Sequence, residues 1–327
     1  MNQTEPLRNF GNDDGIRTEF RSLIASLPSD INIQGKKLCN YQGCWYYYKN
    51  LQAVLDYQKH FEPLDTDIIV SSYPKSGTTW LKALTVALLH RPKDGIQSHP
   101  LTSDSPYGLV PFLEFKLYAR SSTPDLTKLS SSPRLFSTHM PLHTLREPLK
   151  DSPCKIVYIC RNVKDVLVSE WQFRSRMENK EAERSTLESV VESFCKGVHA
   201  CGPLWDNVLS YWKGSLEDPK HVLFMRYEDL KEEPYAQVMR LADFLDCPFT
   251  QEEIHSGSVE KILGLCSLSN LSNLDINKTG ISWNNLDHSI FFRKGEVDDW
   301  KNHLSIEMAN KIDMVIHEKF QGSGLKI

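Results

Sequence analysis

Asp67-Ile68-Ile69-Val70-Ser71-Ser72-Tyr73-Pro74-Lys75-Ser76-Gly77-Thr78-Thr79-Trp80-Leu81-Lys82-Ala83-Leu84 is read in three pieces. The first six residues form a short, β-branched apolar run, which suits a strand buried on both faces. From Trp80 onward, apolar residues at 80, 81, 84, 87 and 88 share one helix face. Between them lies a turn in which Gly77 lets the backbone fold tightly against a ligand. The first N–H groups of the helix have no intrahelical partner, and the helix dipole adds partial positive charge there. Lys75 adds a full charge, and Thr78 and Thr79 add hydroxyl donors. The strand–loop–helix unit therefore reads as a cradle for phosphate or sulfate. An ordinary βα turn that happens to hold Lys and Gly is the plain alternative. The Walker pattern is absent, because here the lysine precedes the glycine.

The remaining chain supplies more strand–helix pairs. Arg134–Pro141 reads as a short strand ending at His139. Cys154–Cys160 is a strand running into Arg161 and a helix with apolar residues at 163, 166, 167 and 171. His221–Tyr227 is a strand followed by a helix from about Pro234, and a last helix over 305–320 is expected to bury Ile306, Ala309, Ile312, Val315, Ile316 and Phe320. Strands alternating with helices predict an α/β fold, a single domain with a central parallel sheet flanked by helices. The segment 184–213 reads as helical with a break at Gly202-Pro203. Residues 91–133 carry eight prolines and glycines and read as functional loop. Residues 266–290 lack periodicity. Residues 1–20 are polar and read as a flexible segment, leaving 21–327 as the domain. Trp45-Tyr46-Tyr47-Tyr48 suits either core or the wall of an apolar site.

Composition narrows the function. The chain has 327 residues, 40% hydrophobic and 24% charged, with a net charge of −4. That argues against nucleic acid as the main partner. No run approaches the length of a membrane span, and the first twenty residues lack the apolar core of a signal peptide. The eight cysteines form no Cys-x-x-Cys pair and no zinc pattern, so free thiols and no metal are expected.

Four ordered motifs together resemble the cytosolic sulfotransferases, and their plant branch most. Tyr73–Trp80 resembles that family's 5′-phosphosulfate loop. Thr138-His139-Met140-Pro141 resembles its Thr-His-x-Pro signature. Arg161 with Ser169 matches its Arg-x₇-Ser pair, and Arg293-Lys294-Gly295 matches its Arg-Lys-Gly element. The resemblance implies a P-loop-kinase-like sulfotransferase fold and a cosubstrate, 3′-phosphoadenosine 5′-phosphosulfate (PAPS). It implies His139 as catalytic base and Lys75 as catalytic cation. Lys75, Ser76, Gly77, Thr78, Thr79 and Trp80 would contact PAPS. So would Tyr227, which would share the adenine with Trp80, and Arg161, Ser169, Arg293, Lys294 and Gly295, which would hold the 3′-phosphate. Spacing alone would not bring Arg161 and Ser169 together, since they stand two helical turns apart.

Phe112, Phe115, Trp171 and Phe173 would wall a site for a small hydroxylated acceptor, flavonoid or brassinosteroid in type. The resemblance further implies a cytoplasmic enzyme, with no metal and no membrane, that is a monomer or weak homodimer. The sequence departs from the family pattern in three places: Ser137 where vertebrate members carry Lys, Val163 after Arg161-Asn162 where Pro is usual, and Asp298 where a second Gly is usual. Two other readings fit parts of the pattern. One is a P-loop-type small-molecule kinase, which would need Mg²⁺ ligands and would leave the 3′-phosphate clamp unexplained. The other is a non-catalytic PAPS or metabolite-binding protein.

Overall fold

Four parallel strands build the centre of the molecule: β4 (Ile68–Ser72), β5 (Leu135–Thr138), β6 (Lys155–Cys160) and β7 (Val222–Arg226), in the order β5-β4-β6-β7. The computed structural model describes residues 15–91, 99–129, 132–150, 152–177, 186–282 and 286–327. Most of the segment expected to be flexible thus lies outside the described residues, as do Pro92 and Gly95. The last residues of that segment, from 15, are described. Ile16 is buried, and a helix spans Thr18–Ser26.

All five residues of β4 are buried. Alternation splits its side chains between two cores. Ile68 and Val70 pack with Leu84, Val157, Met225 and Leu241, while Ile69 packs with Tyr57, Phe136 and Tyr158 on the opposite face. Two covered faces are what a parallel sheet requires. The base of the sheet is tied by a forked ion pair. Arg134 donates from Nε (2.8 Å) and Nη2 (2.6 Å) to the two oxygens of fully buried Asp67.

The flanking helices follow the sequence signals. Thr78–Leu89 succeeds β4, Val163–Met177 succeeds β6, and Leu187–Lys196 and Leu204–Glu217 stand on either side of the Gly202-Pro203 break. Tyr227–Glu232 and Pro234–Phe244 follow β7. Ile306–Phe320 closes the fold, but Ile306 itself is exposed at 82%. It sits on the helix's first position, before the buried stripe of Ala309, Ile312 and Phe320 begins.

Three features depart from the sequence reading. Residues 29–46 form a second, antiparallel sheet: β1 (Ser29–Ile31), β2 (Lys37–Tyr41) and β3 (Cys44–Tyr46). Its β2–β3 turn, Gln42-Gly43, has positive φ at both positions (50° and 79°), the geometry of a tight hairpin. Residues 266–290 are not a continuous loop, since they hold short helices at Leu268–Asn273 and Asp275–Thr279, too brief to show a period. Within 99–129, short helices at Pro100–Ser103 and Pro106–Leu109 lead to a wide π-type turn at Leu113–Leu117. All eight cysteines are unpaired. Among the described residues, no helix is long and apolar enough to cross a membrane, and no His/Cys/Asp/Glu group could hold a metal.

Candidate active site

In strand order β5-β4-β6, the chain leaves β4 for one neighbour and returns to the other, which opens a crevice at the strands' C-terminal ends. Each strand delivers one or more of the expected residues there. Tyr73–Gly77 follows β4, His139 follows β5, Arg161 follows β6 and Tyr227 follows β7. Pro74, Lys75, Gly77, His139, Arg161 and Tyr227 border one cavity of about 1640 Å³.

The turn after β4 is a left-handed corner. Lys75 (φ 68°) and Gly77 (φ 111°) both have positive φ, and Gly77 caps the helix that starts at Thr78. A Cβ at Gly77 would stand 2.8 Å from the Tyr227 ring and 3.2 Å from Ile159, so this position has neither the conformation nor the space for a side chain. Pro74, Lys75, Gly77, Thr78, Thr79 and Trp80 line the cavity. Ser76 is buried and lies outside that lining, and its backbone N–H donates to the Tyr73 carbonyl at 3.2 Å. The Thr78 hydroxyl bonds Ser72 Oγ at 2.6 Å, and the Thr79 hydroxyl bonds the Tyr107 hydroxyl at 2.7 Å.

Lys75 Nζ sits 3.9 Å from the centre of the Phe173 ring. Burial pulls its pKa from 10.5 down to about 7. The nearby Glu170 carboxylate opposes this, and the Arg293, Arg161 and Arg176 charges add to it. Glu170 is itself held ionised: burial favours its neutral form, but Arg174 (2.9 Å from Nε) outweighs that and keeps its pKa below the ordinary value.

His139 is fixed from both sides. Its backbone N–H donates to Glu114 (2.7 Å), whose other oxygen accepts from the Thr138 hydroxyl (3.0 Å). Its Nδ1 lies 2.6 Å from the Ser72 carbonyl, a contact that requires the hydrogen on Nδ1 and leaves the lone pair on Nε2. Phe112 and Phe115 pack on the ring at 4.7 and 5.9 Å. Burial lowers the His139 pKa from 6.5 to about 3, with the Ser72 bond opposing and the charges of Lys82 and Lys75 adding to the fall. The ring is therefore neutral near pH 7. Ser137 is fully buried and donates to the Val110 carbonyl at 3.1 Å, so that departure places no group in the cavity.

The far side of the crevice carries the second set of cations. Arg161 is 6% exposed and lies over the Tyr227 ring at 4.5 Å. Its Nη2 donates to the Glu296 carbonyl at 2.6 Å, while its buried Nε has no partner among the described residues. Ser169 lines the same cavity, so the helix places two groups in one site that linear spacing kept apart.

Arg293 and Gly295 also line the cavity. Lys294 does not: it turns outward, and its Nζ bonds Asp299 Oδ1 at 2.8 Å. Arg293 bonds the other Asp299 oxygen at 2.5 Å. Although burial opposes it, these Lys294 and Arg293 bonds hold the Asp299 carboxyl well below the usual range. Fully buried Asp165 accepts from the backbone N–H groups of Asp298 and Trp300, both at 2.9 Å. Asp298 itself adopts φ 65°, the left-handed conformation that a glycine there would take.

Trp80 and Tyr227 meet edge to face at 5.4 Å. Phe112, Phe115 and Phe173 line the cavity, joined by Tyr107 and Phe291, whose rings stand 4.1 Å apart. Trp171 is outside that lining. It points from the next position of its helix towards His303 and the core, so the expectation that it faces an acceptor does not hold. The aromatic run at 45–48 divides: Tyr46 is core, whereas Tyr47 and Tyr48 reach the cavity. Sequence reasoning missed Glu114, Tyr107, Asp165 and Asp299. Glu114, Tyr107 and Asp165 act through partners distant in sequence, whereas Asp299 holds its near neighbours Arg293 and Lys294 in a segment with no regular period to mark it.

Comparisons with known proteins identify the family. The Sulfotransferase domain family matches residues 65–324. Cytosolic sulfotransferase 1 of Arabidopsis thaliana is 63% identical over 321 residues, covering 96% of each chain. The crystal structure of a putative steroid sulphotransferase of Arabidopsis thaliana superposes with a TM-score of 0.76 at 40% identity, over 98% of this chain and 99% of that one. A mouse sulfotransferase complexed with PAP shares the fold, with a TM-score of 0.65 at 24% identity over 88% of this chain and 95% of that one. The chain therefore belongs to the sulfotransferase family, among the plant cytosolic members, and is a PAPS-dependent sulfotransferase.

Proposed function

We propose that this enzyme moves the sulfuryl group of PAPS to a hydroxyl of a small, largely apolar metabolite, with His139 as general base. The observation that carries this is the His139–Ser72 contact, which commits Nδ1 as donor and leaves Nε2 basic at the cavity wall. His139 accepts the acceptor's hydroxyl proton as its oxygen attacks sulfur, in line with the departing phosphate. Lys75 and the N–H groups at the start of the Thr78 helix stabilise the charge that grows on the leaving oxygen. Thr78 and Thr79 hold the 5′-phosphate. Arg161, with its unpartnered Nε, joins Ser169, Arg293 and the Gly295 backbone on the 3′-phosphate, and Trp80 and Tyr227 border the adenine. Lys294 acts by bracing Asp299.

Phe112, Phe115, Phe173 and Tyr107 make the acceptor chamber aromatic, which favours flavonoid-like or steroid-like scaffolds. The steroid wording of the solved Arabidopsis relative supports the second of these. We assign the enzyme to the cytosol, as the names of its relatives do, and expect a monomer or weak homodimer that works without metal.

The test is transfer from labelled PAPS in the presence of chelator, against a panel of flavonoids and hydroxylated steroids. His139→Ala should lower turnover by about a hundredfold or more with PAP binding retained. Undiminished turnover in that variant would remove His139 as base.

A further inference from the structure

Lys82 lies one helical turn beyond Thr79, and its side chain is fully buried. Its ammonium has no hydrogen-bond partner among the described residues. Instead it is held between two ring faces, 3.7 Å from the centre of Phe112 and 4.2 Å from that of Tyr107. Both residues also line the reaction cavity. Phe112 touches the His139 ring at 4.7 Å, and Tyr107 bonds Thr79 and packs on Phe291. A lone buried ammonium is a stability liability that a methionine of similar volume would relieve. Its position, directly behind the acceptor wall and the base, gives the charge a use.

We propose that Lys82 is a positioning residue for sulfuryl transfer: its ammonium clamps Tyr107 and Phe112 as one wall of the acceptor chamber and sets a positive charge behind His139. The clamp is a paired cation–π contact made where water is excluded, the setting in which such contacts are strongest. Burial is what chiefly keeps His139 an unprotonated base, and the Lys82 charge adds to it by opposing formation of imidazolium. The charged groups around the pair act from two elements. Glu114, on the π-type turn, faces Lys82 and holds the His139 backbone, Lys116 on the same turn opposes the Lys82 charge, and Lys75 approaches His139 from the loop after β4. Burial lowers the Lys82 pKa well below its ordinary value, and Glu114 counteracts this.

The proposal rests on His139 as base only for its pH consequence; the clamp stands without it. Lys82→Met is compared with the parent enzyme in acceptor KM, kcat, PAP binding and thermal midpoint. The expected result is a midpoint unchanged or raised, unchanged PAP affinity and an acceptor KM raised about tenfold, in keeping with loss of a buried cation–π pair. The acid limb of kcat/KM should move up by about one pH unit, because removing the cation lets His139 protonate more easily. Lys82→Arg, which keeps the charge, should leave that limb near its parental place. A Met variant with parental acceptor KM and parental pH profile would overturn the proposal. So would failure of both Met and Gln variants to fold, which would make the ammonium purely structural. A KM effect without a shifted acid limb, together with an active His139→Ala, would remove the base and keep the clamp.

Discussion

Lys75 shows how much of the chemistry rests on a single side chain. With its pKa near 7 it is only partly charged at the start of an encounter. Binding an anion beside it favours the ammonium, so the group takes up a proton as the ligand arrives. PAP binding should therefore show proton uptake between about pH 7 and 10 when calorimetry is repeated in buffers of different ionisation enthalpy, and affinity should weaken as pH rises through that range. Lys75→Met should abolish both the uptake and its pH dependence. Gly77 is constrained differently. Gly77→Ala forces a Cβ against Tyr227 at an unfavourable φ, which costs about 1–3 kcal/mol of stability. It should also cut PAP binding, read together by thermal denaturation and titration. Both residues were legible in the sequence, because their roles depend on neighbours within the same turn. Lys82, Glu114 and Tyr107 were not. Lys82 looks like any helix lysine until Phe112, thirty positions on in round terms, folds over it.

Among the elements, the segment 293–300 repays attention because so little of it is regular. It keeps its shape through two buried carboxylates: Asp165 on the helix after β6, and Asp299 within the segment itself. Asp165→Asn replaces one acceptor oxygen with a donor, leaving the N–H of Asp298 or Trp300 unmatched in a buried place. Such a group costs about 1–3 kcal/mol. The melting point should fall, and PAP affinity should drop about tenfold as Arg161 and Arg293 lose their common frame. Retained affinity in a folded variant would show that the frame is not needed.

The long elements were readable, since buried strands and amphipathic helices announce themselves over many residues. The antiparallel sheet at 29–46 was hidden because its strands are three to five residues long. Ile306 was misplaced because a periodic stripe does not reveal at which turn the core begins. The aromatic residues at 171 and 173 read alike in sequence, yet two positions along a helix turn one inward and the other to the cavity.

Across the whole molecule, the floor of the crevice is bound up with acid–base balance. Burial raises the Glu114 pKa from 4.5 to about 7, against the hydrogen bonds of His139 and Thr138 and the Lys82 charge. The folded state thus holds the Glu114 proton more tightly than the unfolded one. That contribution to stability is complete below about pH 4.5 and is lost as pH rises through about 7, by an amount on the order of 3 kcal/mol. Glu114→Gln, which imitates the protonated form, should raise the melting point relative to the parent at pH 8 and much less at pH 5. The motifs gave the strands and their parallel sheet, but the strand order and the meeting of their ends at one edge are properties of the folded sheet. That edge also has a temporal side. Lys75, His139, Arg161 and Tyr227 are all in place once β7 has been made, while Arg293 and Gly295 come from far later in the chain and are locked on by Asp165. A nascent chain still missing everything after Thr279 would own a finished sheet and an unfinished grip on its cosubstrate. First capture of a nucleotide would then wait for the segment that carries Arg293 and Gly295.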